Sequence, residues 1–272
     1  MTSQREKAVT YAILGVFSLL ALLPVVGIIF TALQEPGGAA GFGRFDGFHL
    51  SNFQRAWEQG NFGDYLRSSG IVVVAVVGVS SVLSIMAGYA FGQMRFRGSE
   101  VLFYVFLLGL MIPTEAIIVP LYYDLRDLSL TNTYWALILP QIGTSVAFGT
   151  FWMRAFFRSV PSSLVEAARI DGASSWLTLW RVLLPLARPA VLTMCVLLFM
   201  WTWNEFLLAL VMVTDEALRT APLGLSFFQG RNSSDLTLLA AGAVIVATPV
   251  VVLYVFLQRH FIRGMVSGAV KG

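Results

Sequence analysis

The chain has 272 residues, of which 57% are apolar and only 12% are charged, and its mean hydropathy is +0.76. This composition lies outside the range of soluble globular domains and is typical of membrane proteins. The net charge of +3 is the small difference between 18 basic and 15 acidic residues. Such a balance gives no support to a nucleic-acid-binding function.

Six mostly apolar stretches occur along the chain, and each is long enough to cross the hydrocarbon core of a bilayer as a helix. We therefore predict an all-α membrane protein with six transmembrane helices, built as one domain over residues 1–272. The first stretch follows Arg5 and Lys7, but it is longer than the apolar region of a secretory signal peptide, so we expect it to be retained. The predicted spans are about 10–33, 71–94, 101–123, 135–157, 192–213 and 236–257.

The third predicted span contains an acidic residue between two prolines. Glu115 lies between Pro113 and Pro120, and prolines lack the N–H group that continues a helix. Carboxylates within a membrane usually face a bundle interior or a watery cavity. Glu115 therefore belongs either to a kinked gating helix or to a buried hydrogen bond between helices, and we favour the hydrogen bond.

A polar segment at about 161–190 separates the fourth and fifth spans. Ser163 and Glu166 have the spacing of a capping box, which predicts a short helix just after Pro161. Gly172 is expected to end this helix, because glycine tolerates a positive φ and leaves room for close approach. An ordinary capped helix between two spans would explain the serine and the glutamate alone.

The distribution of charge predicts the orientation of the chain in the membrane. If both termini are cytoplasmic, twelve of the 18 basic residues lie on the cytoplasmic side or at its border, against four acidic residues. Positively charged residues favour this side of a membrane. The same orientation places the segment 161–190 in the cytoplasm.

The polar segment and several other strings resemble one family. The run Glu166-Ala-Ala-x-x-Asp-Gly172-Ala, followed by Pro185 and Pro189, is similar to the EAA coupling loop of bacterial ABC importer permeases. Strings at 132–140, 151–157 and 202–206 and the last five residues, Gly-Ala-Val-Lys-Gly, resemble the carbohydrate-uptake branch of that family. Within this branch the likeness is to the smaller membrane subunit of maltose-type systems.

The resemblance implies a function, an assembly and a set of site residues. The chain would be a permease in the bacterial inner membrane that works with a second homologous permease, an ATPase dimer and an external solute-binding protein, and sugar would be the substrate. A cytoplasmic coupling helix between spans 4 and 5 would contact the ATPase through Glu166, Ala167, Ala168, Asp171, Gly172 and Ala173. The C-terminal tail would reach the ATPase interface through Gly268, Lys271 and Gly272.

A second carboxylate lies within the fifth predicted span, where Glu205 follows Trp203 and Asn204. Carboxylate and amide groups can hydrogen-bond sugar hydroxyls, and an aromatic face can stack on a sugar ring. These residues are therefore candidates for the substrate path, together with Glu115. An equally supported alternative is that Glu205 bonds to a neighbouring helix or to the partner permease.

Two segments on the predicted outer side are candidate docking surfaces. Residues 34–66 begin with several glycines and continue into an amphipathic stretch at 51–57, which predicts a short helix lying on the membrane. Residues 214–235 correspond, by the family resemblance, to a loop that contacts the binding protein. Both segments could equally be solvated connections.

The sequence also limits the chemistry of the chain. No glycine-rich phosphate loop of the G-x-x-x-x-G-K-[ST] type is present. We therefore expect no enzymatic activity and no cofactor in this chain, with ATP and magnesium bound by the partner ATPase. His49, His260 and the single Cys195 are too few and too scattered to predict a metal site or an internal disulfide.

Alternative functions remain open at this point. The solute could be glycerol 3-phosphate or another polar compound instead of a sugar. An ion-coupled secondary transporter would use Glu115 and Glu205 as coupling acids, but the cytoplasmic docking segment argues against it. An intramembrane enzyme would need a catalytic constellation that the sequence lacks.

Overall fold

The computed structural model describes residues 4–35, 47–228 and 235–269, and for 259–269 it describes the backbone only. Helices form the regular structure throughout this part of the chain, which contains no strand. The helices of six or more residues are α1 (Gln4–Ala32), α2 (Ser51–Gln59), α3 (Phe62–Gln93), α4 (Ser99–Met111), α5 (Thr114–Asp127), α6 (Tyr134–Ser159), α7 (Ser162–Ile170), α8 (Ser175–Trp203), α9 (Leu207–Met212) and α10 (Leu236–Ala269). Shorter helical turns lie at Glu216–Leu218, Ala221–Gly224 and Leu225–Phe228.

Five of these helices, α1, α3, α6, α8 and α10, are long and apolar enough to cross a membrane. The pair α4 and α5 provides a sixth span if its two parts are taken together, although they meet at an angle of 96°. The prediction of an all-α membrane protein is therefore confirmed, with five spans, or six if the divided pair α4 and α5 counts as one span.

The third span departs from the continuous helix predicted at 101–123. α4 ends at Met111, Ile112 is extended with a ψ of 116°, and Pro113 directly precedes α5. Proline supplies no N–H to the preceding turn and disfavours a helical residue before it, so the break falls at Ile112. Pro120 lies inside α5 without interrupting it.

The fifth span also differs from the prediction of one helix over 192–213. α8 begins much earlier, at Ser175, and ends at Trp203. Its stretch Thr178–Leu183 has the wider π-helical winding, just before Pro185. Residues 204–206 are not helical, and α9 follows them.

The described chain divides into two compact units, so the prediction of a single domain stays a prediction. The first unit comprises Met1–Gly63 and Leu223–Pro249. Within it, the buried Asn52 of α2 donates hydrogen bonds from Nδ2 to the carbonyls of Ala32 and Gln34 at 3.0 and 2.8 Å. These bonds fix α2, the short helix predicted from the amphipathic stretch, to the end of α1.

The second unit comprises Asp64–Pro222 and Val250–Gly272. Its core joins α3, α6, α7 and α8 through ten buried residues: Ile85, Tyr89, Met153, Phe157, Val165, Leu179, Leu183, Ala187, Met194 and Leu198. α3 and α6 run parallel, because Ser68 near the start of α3 bonds Tyr134 at the start of α6, and Gln93 at the end of α3 bonds Phe157 near the end of α6. Small residues allow this pair to approach closely.

α1 contrasts with this core. Its apolar side chains are exposed along most of its length, from Val9 to Ile29, and Thr31 and Ala32 are its buried residues. An apolar helix with this exposure is suited to contact with lipid or with another membrane subunit.

Candidate functional site

The polar segment between the fourth and fifth spans forms α7, which is attached to the core on one face. Val165 and Ala168, three residues apart, are 5% and 6% exposed, and Val165 packs within the core shared by α3, α6 and α8. Residues at this spacing lie on one side of a helix. α7 is therefore a fixed projection of the helical core and presents its other face outward.

The end of α7 has the glycine geometry that the sequence predicts. Gly172 has a φ of +79°, its N–H donates to the Arg169 carbonyl at 3.0 Å, and the Ala173 N–H donates to the Ala168 carbonyl at 2.9 Å. These two bonds form a complete Schellman motif, which satisfies the last carbonyls of the helix. The positive φ explains why glycine is needed here.

The start of α7 differs from the predicted capping box. The residue before the first helical turn is Pro161, and no side chain caps the helix. Because the helix already begins at Ser162, Ser163 lies within its first turn, where its side chain is not placed to cap. The capping-box prediction is therefore wrong, and Glu166 makes no hydrogen bond or ion pair with the described residues.

The outward face of this segment is partly apolar, which the sequence reasoning missed. Ile170 is 86% exposed and Trp176, in the first turn of α8, is 60% exposed. Glu166 and Ala167 are exposed beside them, so the two alanines of the motif lie on different faces. A contact surface could have been predicted from the sequence, because large apolar residues occur beside the polar motif although they lie outside the predicted spans.

A groove of about 1020 Å³ lies beside α7, bordered by the end of α3, the start of α4 and the end of α6. The charged side chains that line it are mainly basic, and Arg158 forms an ion pair with Glu100 at 3.9 Å. The groove would attract an anionic group. The charged residues along it are Arg95, Arg97, Glu100, Arg154, Arg158, Glu166 and Arg169.

The substrate-path candidates lie at the break after α8. Glu205 accepts a hydrogen bond at Oε1 from the Leu208 N–H at 2.9 Å and so caps α9. The exposed Asn204 donates from Nδ2 to the Met200 carbonyl at 2.7 Å. Trp203 is only 5% exposed and stacks on Phe199, so its ring is turned into the protein.

Glu115 lies apart from these residues, on the first turn of α5. Its side chain is exposed, and within the described chain it has no hydrogen-bond or ionic partner. The buried hydrogen bond between helices favoured from the sequence is therefore not formed among the residues that the structure describes.

At the start of α3 and α6, which is the end away from α7, polar side chains hold the segment 214–221 by hydrogen bonds. Asn132, with a φ of 57°, accepts hydrogen bonds at Oδ1 from the N–H groups of Thr214 and Asp215 at 3.0 and 2.7 Å. Ser68 and Ser69 of α3 bond the Ala217 carbonyl and the Ala221 N–H. This part of the predicted outer docking segment is thus fixed in place.

Two further predictions concern metals and the C-terminal tail. In the described ranges, no group of three or more His, Cys, Asp or Glu side chains is placed to hold a metal ion. Lys271 and Gly272 lie outside the described residues, and Gly268 is described only as part of the α10 backbone.

Comparison with known proteins identifies the family. Residues 80–267 match the family model described as binding-protein-dependent transport system inner membrane component. The diacetylchitobiose uptake system permease protein NgcG of Streptomyces coelicolor is 32% identical over 98% of this chain and 89% of its own length. The trehalose transport system permease protein SugB of Mycobacterium tuberculosis is 33% identical over 93% of both chains.

A solved structure supports the fold. The chain is similar to a bacterial ABC transporter involved in the import of the acidic polysaccharide alginate, with a TM-score of 0.81 and 24% identity over 96% of this chain and 99% of that one. The family match covers the segment with α7 as well as the core helices around it. The chain therefore belongs to the family of binding-protein-dependent transport system inner membrane components.

Proposed function

We propose that this chain forms, with a second and homologous permease, the membrane path of an ATP-driven importer for a sugar or oligosaccharide. An ATPase dimer would supply the energy, and an external binding protein would deliver the solute. The observation that carries the proposal is the geometry of α7. Its inner face is part of the core, while its outer face exposes Glu166 and Ile170 ahead of the Gly172 turn.

This geometry suits a contact that transmits force. Because α7 packs against α3, α6 and α8 through Val165, a partner that moves α7 also displaces the core helices. Such a rigid-body movement is the usual basis of alternating access. The exposed Ile170 and Trp176 would supply apolar contact area, and Glu166 would supply a directed polar contact.

The substrate class rests on the relatives. Similar permeases carry names that specify diacetylchitobiose, trehalose and maltodextrin, which favours a neutral sugar or oligosaccharide over glycerol 3-phosphate. Another relative is named for sulfoquinovosyl glycerol, so a sugar glycoside that carries an additional polar or charged group is a second candidate. Asn204 and the exposed Trp201 are the groups near the end of α8 that would contact it.

The charge distribution supports a bacterial inner-membrane location with α7 in the cytoplasm. The basic groove beside α7 agrees with this orientation, because positive residues concentrate on the cytoplasmic side. Both termini would then be cytoplasmic, and the tail with Gly268, Lys271 and Gly272 would reach the ATPase. ATP and magnesium would be bound by that ATPase, since this chain has no phosphate loop.

The test is transport by the complex purified through a tag on this chain. The complex is placed in vesicles with ATP inside, and uptake of labelled trehalose, maltodextrin and diacetylchitobiose is measured with the binding protein outside. We expect uptake of one of these sugars that requires both ATP and the binding protein. Uptake driven by a proton gradient without ATP would contradict the proposal and favour an ion-coupled transporter.

A further inference from the structure

The last turns of α3 and α6 cap each other. Gln93, the final residue of α3, donates from Nε2 to the carbonyls of Phe157 and Val160 at 2.5 and 3.5 Å. These carbonyls lie at the end of α6, where the Phe157 carbonyl also accepts from the Val160 N–H at 3.2 Å, and the carbonyls of a last helical turn need donors from outside the regular helix. A side chain of one helix thus completes the hydrogen bonding of another helix, immediately before α7 begins.

The reverse contact comes from Arg154 of α6. Its Nε donates to the Phe91 carbonyl in the last turn of α3 at 3.3 Å. Its guanidinium carbon lies 3.7 Å from the centre of the Phe103 ring on α4, a favourable cation–π distance. Arg154 therefore connects α6 to both α3 and α4.

The backbones of α3 and α6 are closely packed in this region. A Cβ added at Gly88 of α3 would lie 2.5 Å from the Cβ of Met153, and one at Gly92 would lie 2.9 Å from the Cβ of Phe157. Backbones that approach this closely cannot slide without separating. The reciprocal bonds of Gln93 and Arg154 thus close the end of a tightly packed pair.

We infer that Gln93 and Arg154 are positioning residues that make α3, α4 and α6 move as one body with α7. This inference rests on the proposed function, in which α7 receives the movement of an ATPase. α7 starts only two residues after Val160, whose carbonyl Gln93 holds. Without the reciprocal bonds, apolar packing alone would join the last turn of α3 and the start of α4 to α6 and α7, so these ends could shift relative to one another when α7 moves.

The hydrogen bonds of Gln93 and Arg154 are expected to contribute more to the coupling of helix movements than to the stability of the fold. Gln93 and Arg154 are only partly buried, whereas the core beneath them contains the fully buried Met153 and Phe157. Replacing Gln93 with an apolar residue of equal length leaves that core intact. We therefore expect the complex to assemble but to convert ATP hydrolysis into transport less efficiently.

The first test is Gln93→Met in the complete complex in vesicles, with uptake and ATP hydrolysis measured together. We expect the amount of solute transported per ATP to fall by roughly fivefold, the low end of typical coupling between two sites. Gln141→Met is the matched control, because Gln141 donates from Nε2 to the Leu137 carbonyl of its own helix at 2.8 Å. The amount of solute that Gln141→Met transports per ATP should equal that of the unmodified chain.

A second measurement follows the movement directly. Spin labels at Val74→Cys on α3 and Ser163→Cys on α7, in a Cys195→Ser background, report the distance between the helices with and without ATP. The unmodified pair should keep one narrow distance distribution in both states, and Arg154→Met should broaden it when ATP is present. Both residues chosen for labelling have exposed side chains.

The outcomes separate this inference from the proposed function. If the unmodified complex shows no ATP-driven uptake, the proposed function fails. If it transports normally but Gln93→Met keeps its solute-to-ATP ratio, or loses only assembly and thermal stability, the two residues are merely structural and the inference is overturned. An equal loss in Gln141→Met would overturn it as well.

Discussion

The two ends of the parallel α3–α6 pair are held by different kinds of interaction. At the end near α7, the contacts are apolar packing around Val165 and side-chain bonds to terminal carbonyls of α3 and α6. At the opposite end, Asn132, Ser68 and Ser69 bond the backbone of 214–221. At one end the core supports a rigid helix, and at the other side-chain hydrogen bonds hold a segment without long helices.

The difference indicates separate roles for the two ends. A helix anchored in the core transmits a push, because close-packed side chains do not compress. A segment held by partly exposed hydrogen bonds keeps a defined surface but can be released at a modest free-energy cost. We therefore expect changes near α7 to affect coupling and changes near Asn132 to affect local stability.

The largest effect is expected from Gly172→Asp. A non-glycine residue at a φ of +79° costs on the order of 1 kcal/mol, and the carboxylate adds an unmatched charge to the outward face of α7. We expect an inserted permease that no longer assembles or couples with its ATPase. Co-purification and uptake measure this.

Gly98→Asp is the matched control for that change. Gly98 has a φ of +80° and, like Gly172, open space around the position of a Cβ. The substitution Gly98→Asp therefore introduces similar backbone strain and the same charge at a position away from α7. Equal loss of uptake in both variants would show that strain or charge, and not the α7 surface, is responsible.

A smaller effect, on stability, is expected from Gly88→Ala. The new methyl group would meet the Cβ of Met153 at 2.5 Å and the backbone nitrogen of Arg154 at 3.0 Å. Because backbone cannot yield as a flexible side chain does, the cost should be about 2 kcal/mol. Thermal unfolding in detergent measures the loss.

Gly78→Ala on the same helix has no atom within 4 Å of the added methyl group. It should be neutral or slightly stabilising, because alanine favours helix by roughly 1 kcal/mol over glycine. A similar loss of stability in both variants would contradict close packing of α3 on α6.

Asn132→Gly should have a weaker effect at the opposite end. Glycine keeps the positive φ but removes the Oδ1 acceptor for Thr214 and Asp215. Loss of these partly exposed bonds should cost about 1 kcal/mol and speed proteolysis within 214–221 without changing ATPase assembly. Asn132→Asp, which keeps an acceptor, should behave like the unmodified chain, and a failure to assemble in Asn132→Gly would break the proposed division of roles.

The smallest change in stability is expected from Glu166→Ala. Since Glu166 caps nothing and has no partner in the described chain, the free energy of unfolding should change by less than about 0.5 kcal/mol. Uptake should fall partially, because one docking contact is removed. A marked drop in melting temperature would show that Glu166 supports α7 itself.

The sequence predicted the features that depend on local chemistry. Gly172 was readable because only glycine readily adopts a positive φ at a helix end, and the third span was expected to be loosened because Pro113 lacks an N–H. The break after Trp203 was missed, since no proline marks it and a hydropathy window averages across it. The capping box failed because the helix already begins at Ser162, one residue before Ser163, with Pro161 at the N-cap position.

Interactions between distant parts of the chain could not be predicted. The partners of Gln93 and Arg154 are backbone carbonyls more than 60 positions away, and every residue type offers the same carbonyl. The exposure of Ile170 likewise depends on how α7 packs against the core. For these residues the sequence gives the chemistry of the side chain but not its neighbour.

Photocross-linking from Ile170 tests the central claim most directly. A photoreactive amino acid replaces Ile170, which is 86% exposed, and a matched one replaces Leu128, which is 67% exposed at the far end of α5. In the complete complex we predict that position 170 cross-links to the ATPase and position 128 does not. Absence of a cross-link from 170, or an equal yield from both positions, would contradict the account of α7 as the surface that receives the movement of the ATPase.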